Sequence, residues 1–385
     1  MKKLFYFAAA AVALAACAKN EVIPVNSGEN QEITFNVAPK TKANPDEHGH
    51  NEFGKGNEFA SWAYYLGPNK TWKDNSADAK EYISGATISY NTTEKVWKAD
   101  KSYYWPKDGG TLTFFAYSLN KNDLEFTSNS EGHKQSYVTC SSTSGISAHI
   151  DLSLDKNVDF LVADPAENKK SNVDEGKHFV DGVPTLFRHK LSYIIFNVKT
   201  DKDYYTDAGK TLTLKSIKFN NVSYIGGYRD FPSKGTEGQV LIKAGFTPDA
   251  TKRGVMNYTG GSTESPFSQK ITSTNKGISP IDNFLYIPQT FADNAEIEVV
   301  YAVTTTVGSG SGSVTEQDVK KTIQLNTLFK TVTDQNDTEF PGGWRMGKKY
   351  TINLTFTLDE ILWDPAVQEW EDVNIGTDAK PIIVG

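Results

Sequence analysis

The residues able to do chemistry in this chain are few and far apart. Cys17 and Cys140 are its two cysteines, and a thiol is a nucleophile only as the thiolate. His48 and His50, in the segment DEHGH, form the one close histidine pair with acidic neighbours. A metal there needs further ligands from elsewhere, whereas a solvated loop needs nothing. Arg188 and His189 stand side by side where an apolar alternation resumes; a histidine satisfied by a backbone carbonyl is the plainer reading than a catalytic one. Glu369, Glu371 and Asp372 form an acidic cluster, but carboxylates on a polar terminal segment mostly face water rather than flank a substrate. The chain has no H-E-x-x-H, no G-x-S-x-G and no phosphate-cradling glycine loop. The expectation is a protein with no catalytic residues, no metal and no cofactor.

Cys17 is set apart by what precedes it. Lys2 and Lys3, an apolar run from Leu4 to Ala13 and then Leu14-Ala15-Ala16-Cys17 have the layout of a secretion signal. The run is short of the roughly 20 residues that span a bilayer. A leader ending in LAAC resembles that of bacterial lipoproteins, in which the cysteine is acylated and becomes the mature N-terminus. Residues 1–16 are therefore read as signal peptide and 17–30 as a lipid-anchored linker. Each buried methylene of an acyl chain contributes about 0.8 kcal/mol to the hold on the membrane.

Composition limits what hangs from that anchor. A chain of 385 residues, less the leader, suits two ordinary domains. A net charge of −7 argues against a nucleic-acid surface and leaves proteins or glycans as partners. With Cys17 acylated, Cys140 has no partner for an internal disulfide. Stability must come from core burial, to which 21 Phe, 18 Tyr and 7 Trp supply large apolar areas.

The elements that must position these residues read as strands. Ile33, Phe35 and Val37 alternate with polar residues in QEITFNV, as do Leu112, Phe114 and Ala116 in TLTFFAY. The latter follows the turn Asp108-Gly109-Gly110, and with the preceding SYYWP it reads as a hairpin. Alternation recurs at Ile194, Phe196 and Val198, at Ile297, Val299, Tyr301 and Val303, and at Ile352, Leu354, Phe356 and Leu358. In TLTLKSIKFN the phase slips between Leu214 and Ile217, which predicts a β-bulge near Ser216. Gly308 to Ser313 reads as a hairpin tip, and DPAVQEW as the best helical signal, with Val367 and Trp370 on one face after Pro365. The whole predicts an all-β chain of two antiparallel β-sandwich domains, residues 31–185 and 186–385, divided in the polar stretch after Lys169.

Taken in order, LAAC, QEITFNV, TKA, EFASWAYY, YYWPKDGGTLTFFAYS, DFLVADP, LFRHKLSYIIFNVK and MGKKYTINLTFTLDEILWDPAVQEWED resemble the fimbrillin family of Bacteroidales, the type V pilus subunits and their relatives. The resemblance implies transthyretin-like sandwiches, export as a lipoprotein, and polymerisation by strand donation with other subunits. In that scheme a protease removes the anchor together with the first strand, and a strand of another subunit fills the groove. Here the removable strand is carried by Ile33, Phe35 and Val37, read as an edge strand. The donor segment is carried by Val373, Ile375, Ile382 and Val384. Relatives are cut after an arginine, but this chain has none before Arg188, so the candidate cleavage points are Lys40 and Lys42. An alternative is a lipoprotein that binds glycans through Trp62, Trp72 and Trp97, or a non-polymerising anchor or tip adhesin with a host or bacterial ligand.

Overall fold

The computed structural model describes residues 31–37, 53–170, 182–205, 209–230, 245–259, 267–278, 280, 284–306, 314–329, 342–358, 360–369 and 382–383. Nearly all regular structure among them is β.

The first sheet has nine strands. In space they run β10 (Val183–Thr185), β1 (Phe35–Val37), β4 (Val96–Ala99), β3 (Lys80–Asn91), β2 (Phe59–Leu66), β5 (Thr111–Ser118), β8 (Leu161–Ala163) and β11 (Phe187–His189), with β9 (Ala166–Lys169) also on β5. The two strands at the ends of this order, β10 and β11, are separated in the chain by Leu186 alone. The sheet must therefore curl until its ends nearly meet. Its interior is a compact apolar cluster that includes Ile33, Phe35, Phe59, Ile88, Leu112 and Phe114.

A second sheet runs β15 (Gly245–Pro248), β14 (Ile225–Arg229), β7 (Gly145–Asp151) and β6 (Tyr137–Ser141). It packs against the outside of the curl. On β5, Leu112, Phe114 and Ala116 turn inward, while Phe115 and Tyr117 join Ile146, Ile150 and Tyr228 in the larger core. That is why β5 is buried on both faces instead of alternating.

The rest is a sandwich. One sheet runs β18 (Lys276–Ile278), β12 (Ser192–Thr200), β24 (Lys348–Phe356), β25 (Ile361–Glu369) and β26 (Ile382–Ile383), with β19 (Leu285–Tyr286) on β12. The other runs β16 (Arg253–Thr259), β13 (Lys210–Ser223), β21 (Glu296–Thr306) and β22 (Val314–Gln324), with β17 (Gln269–Ile271) on β13. A two-stranded piece, β20 (Gln289–Thr290) with β23 (Gly343–Trp344), completes it. Phe196 meets Phe219 across the layers at 5.9 Å between ring centres, and Tyr301 meets Phe356 at 5.1 Å. The expected bulge is present: Leu214 pairs Tyr301 and Ser216 pairs Val300, so Lys215 is the extra residue that returns Ile217 to the core.

Two expectations are corrected. DPAVQEW is not helical, because Asp364 to Glu369 continue β25, with Pro365 opposite Ile352. Among the described residues, β24 alone pairs with the strand at Pro365, a setting in which a sheet accepts proline. The hairpin across Asp108-Gly110 does not form either. There β5 pairs β2, β8 and β9, while Tyr103 to Trp105 turn away to bond Gln31 to Ile33. Strands from the two sides of residue 185 share sheets: β11 pairs with β8, and β14 with β7.

Candidate strand-exchange site

QEITFNV is short, and its alternation places two large side chains on one face. Ile33 is 2% exposed and Phe35 4%, whereas Asn36 faces water and Val37 is half-buried. The Phe35 ring stands edge-on to Phe59 at 5.5 Å and to Phe114 at 5.9 Å. Full burial of side chains of this size contributes about 1.5–3 kcal/mol each. Trp97, Phe53 and Phe187 close the same cluster, with Phe53 stacked on Phe187 at 4.7 Å.

The flanks of this strand differ from the expectation. β1 is second from the end of the sheet, not its edge, because β10 covers its outer side in parallel and β4 its inner side antiparallel. The Val183 amide donates to the Thr34 carbonyl at 2.7 Å, the Ile33 amide to Tyr103 at 2.7 Å, and the Trp105 amide to Gln31 at 3.0 Å. Gly182 makes the outer approach possible. Its φ is +82°, and a Cβ there would lie 2.7 Å from the carbonyl carbon and oxygen of Thr34. Pro184 in β10 then leaves the end of the sheet short of one donor, which discourages further pairing. Gly-Val-Pro gives no periodicity, so nothing in its pattern announces a strand; the left-handed glycine was its only signal.

Other candidate residues are placed as follows. Trp72 is 5% exposed against Tyr64 and Phe115, and Trp97 is 7% exposed inside the curl. Trp62 is half-buried, stacked on Tyr117 at 5.8 Å and resting over Gly85. The burial of Trp72 and Trp97 removes those two as sugar platforms. Arg188 grips Asp164 through two bonds of 2.6 Å, and His189 Nδ1 lies 3.0 Å from a carboxylate oxygen of Asp159. Cys140 lies on β6, where burial pushes its thiol up to about 12. Ile382 pairs with Trp363 at the edge of the sandwich sheet, beside Ile383 opposite Leu362. Cys17, Lys40, Lys42, His48, His50, Glu371, Asp372, Val373, Ile375 and Val384 lie outside the described residues, as does the Gly308 to Ser313 tract. Among the described residues no group of His, Cys, Asp and Glu could hold a metal ion, and no helix is long and apolar enough to cross a membrane.

Comparison with known proteins places this architecture. The crystal structure of a fimbrial protein from Bacteroides vulgatus superposes with a TM-score of 0.52 at 15% identity, covering 89% of this chain and 100% of that one. That of a candidate cell adhesion protein from Bacteroides uniformis gives 0.42 at 16% identity, covering 89% and 99%. No curated protein matches. The sequence profile described as fimbrillin-like matches residues 41–370, starting just past β1 and ending at Trp370. A match over that much of the sequence, on an all-β frame shared with a fimbrial protein, means that the chain belongs to the fimbrillin-like family.

Proposed function

We propose that this chain is a structural and adhesive subunit of a surface fimbria, exported as a lipoprotein through Cys17 and joined to its neighbours by strand donation. Membership of the fimbrillin-like family supports the fimbrial part. The observation that carries the rest is the seating of β1. Ile33 and Phe35 plug a curled sheet whose strands from β4 to β11 stay paired without them, while β10 remains tethered to β11 through Leu186. Removal of residues up to Lys40 or Lys42 opens a trough lined by Phe59, Trp97, Phe114 and Val183, with unpaired ladder groups of β4 and β10 along both walls. Such a slot is a template for β-augmentation.

Val373 and Ile375, and again Ile382 and Val384, are spaced by two, as Ile33, Phe35 and Val37 are. They supply the donor. Among the described residues the ladder between this end and β25 is two residues long, Ile382 with Trp363 and Ile383 with Leu362, so releasing it breaks few bonds. The partners are other fimbrial subunits, the outer membrane through the lipid, and a ligand on a host or bacterial surface. No cofactor or nucleic acid enters this reading.

N-terminal sequencing by mass spectrometry of material sheared from cells tests it. A mature terminus at Thr41 or Ala43 in high-mass polymer is the expected result. An acylated Cys17 still attached within the polymer would overturn strand removal and make the chain an anchor.

A further inference from the structure

A hollow on the rim of the first sheet takes no part in strand exchange. Tyr65 near the end of β2, Tyr82 near the start of β3 and the turn Pro106-Lys107-Asp108 ahead of β5 line a shallow, open depression of about 340 Å³. Both rings are held in place. The Tyr82 hydroxyl donates to the Tyr104 carbonyl at 2.5 Å, and the Tyr65 hydroxyl donates to the Asp108 carboxylate. Gly110 backs the Tyr65 ring so closely that a Cβ there would meet a ring carbon at 2.3 Å. With their hydroxyls engaged, what the two rings offer a ligand is their apolar faces, and Tyr82 is 38% exposed.

The polar rim is equally defined. Asp108 Oδ1 accepts the Gly110 amide at 3.1 Å while Oδ2 accepts the Tyr65 hydroxyl. These bonds hold its carboxyl below the usual range, the Tyr65 hydroxyl having the larger effect. The Asp108 amide is a third donor to this carboxylate, so of the four lone pairs on its two oxygens one acceptor position remains. Lys107 adds a cation beside it. A ligand that fits must lay an apolar face on a fixed aromatic ring and present a hydroxyl donor from its edge to a carboxylate. Neither an acyl chain nor an anion brings a hydrogen-bond donor to the acceptor position that remains. A polyproline segment needs a groove of several residues' length, which five residues around one turn do not make. A sugar ring meets both demands, with C–H groups on one face and hydroxyls around its edge.

We propose that Tyr65, Tyr82, Pro106, Lys107 and Asp108 form a binding site for a neutral pyranose, which stacks on Tyr82 and gives a hydroxyl hydrogen bond to Asp108. The proposal concerns the chain with β1 in place, where Tyr103 to Trp105, next to the site, bond Gln31 to Ile33.

The test uses the full, uncut chain in mild detergent. Saturation-transfer NMR is run with methyl β-galactopyranoside, methyl β-glucopyranoside and methyl α-mannopyranoside, and with a proline-rich peptide as rival. The expected result is saturation of the protons on one face of at least one pyranoside. Tyr82→Ala should weaken that binding about tenfold, whereas Tyr82→Phe, which keeps the ring, should hold it within about threefold. Asp108→Asn should weaken it, and Tyr137→Ala, at an exposed tyrosine on β6 of the second sheet, should leave it unchanged. Transfer to none of the three pyranosides, transfer to the peptide alone, or binding indifferent to both Tyr82→Ala and Asp108→Asn would overturn the proposal.

Discussion

Phe35 and Phe114 belong to strands four places apart in one sheet, yet their rings meet edge to face at 5.9 Å. In a flat sheet four strand spacings come to roughly 19 Å. The contact exists only because the sheet curls, so Phe35 joins β1 to the far wall as well as to its neighbours.

That makes Phe35 the measure of how firmly the strand is seated. Phe35→Ala should cost about 3–5 kcal/mol, the usual loss for a large aromatic removed from a packed core. Asn36→Ala, one residue on and facing water, should change stability by no more than about 0.5 kcal/mol. Urea midpoints of the two variants check this; equal midpoints would mean that β1 does not contribute to the fold.

Gly182 separates two costs of a side chain at positive φ. At Gly109, φ +77°, a Cβ meets nothing within 4 Å, so Gly109→Ala should cost only the left-handed strain of about 1–2 kcal/mol. At Gly182 the same methyl collides with the Thr34 backbone, and Gly182→Ala should cost more. It should also speed hydrogen exchange at Val183, whose amide bonds Thr34. Melting curves and amide exchange read both effects.

Glu298 predicts an acid limb. Burial pushes its carboxyl up, but Lys218 Nζ at 2.8 Å and Lys320 Nζ at 2.5 Å more than compensate, and its pKa is lowered in the fold. A lowered carboxylate stabilises above its unfolded value of about 4.3, and the contribution fades as pH falls through the folded value. Glu298→Gln should therefore be less stable than the parent at pH 7, with the gap closing below about pH 4. Urea midpoints from pH 7 to pH 3 test the sign; a gap that widens toward acid would contradict it.

How much of this was legible in the sequence depended on how many faces a strand has covered. Ile194, Phe196 and Val198 alternate because β12 has one face in the core, and the slip at Lys215 showed because it broke that alternation. On β5, Phe114 and Phe115 are both buried, and its two-sided role lay hidden in an ordinary apolar run. Strands of three residues carry no period, so β10 was invisible and β1 was mistaken for an edge. Pro365 was read as a helix opener because an edge position cannot be recognised before the sheet is assembled. At the candidate site Ile33 and Phe35 were identified as inward-facing, but Val183 and Gly182 were missed, since their pairing with β1 spans nearly 150 residues of chain. The three tryptophans could not be sorted from type alone, because a ring that packs and a ring that stacks on a sugar are the same residue.

The grip of β10 and β4 on both sides of β1 has a mechanical consequence. A strand lying at an edge can be peeled, its bonds parting one after another under a small force. A strand in a slot, pulled along its own length, loads the bonds of both flanks together in shear, and they must give way at once. Any segment seated there, the chain's own or a neighbour's, is held like a rivet. Under steady tension its lifetime is set by the barrier to opening the curled sheet and not by the equilibrium strength of any single bond.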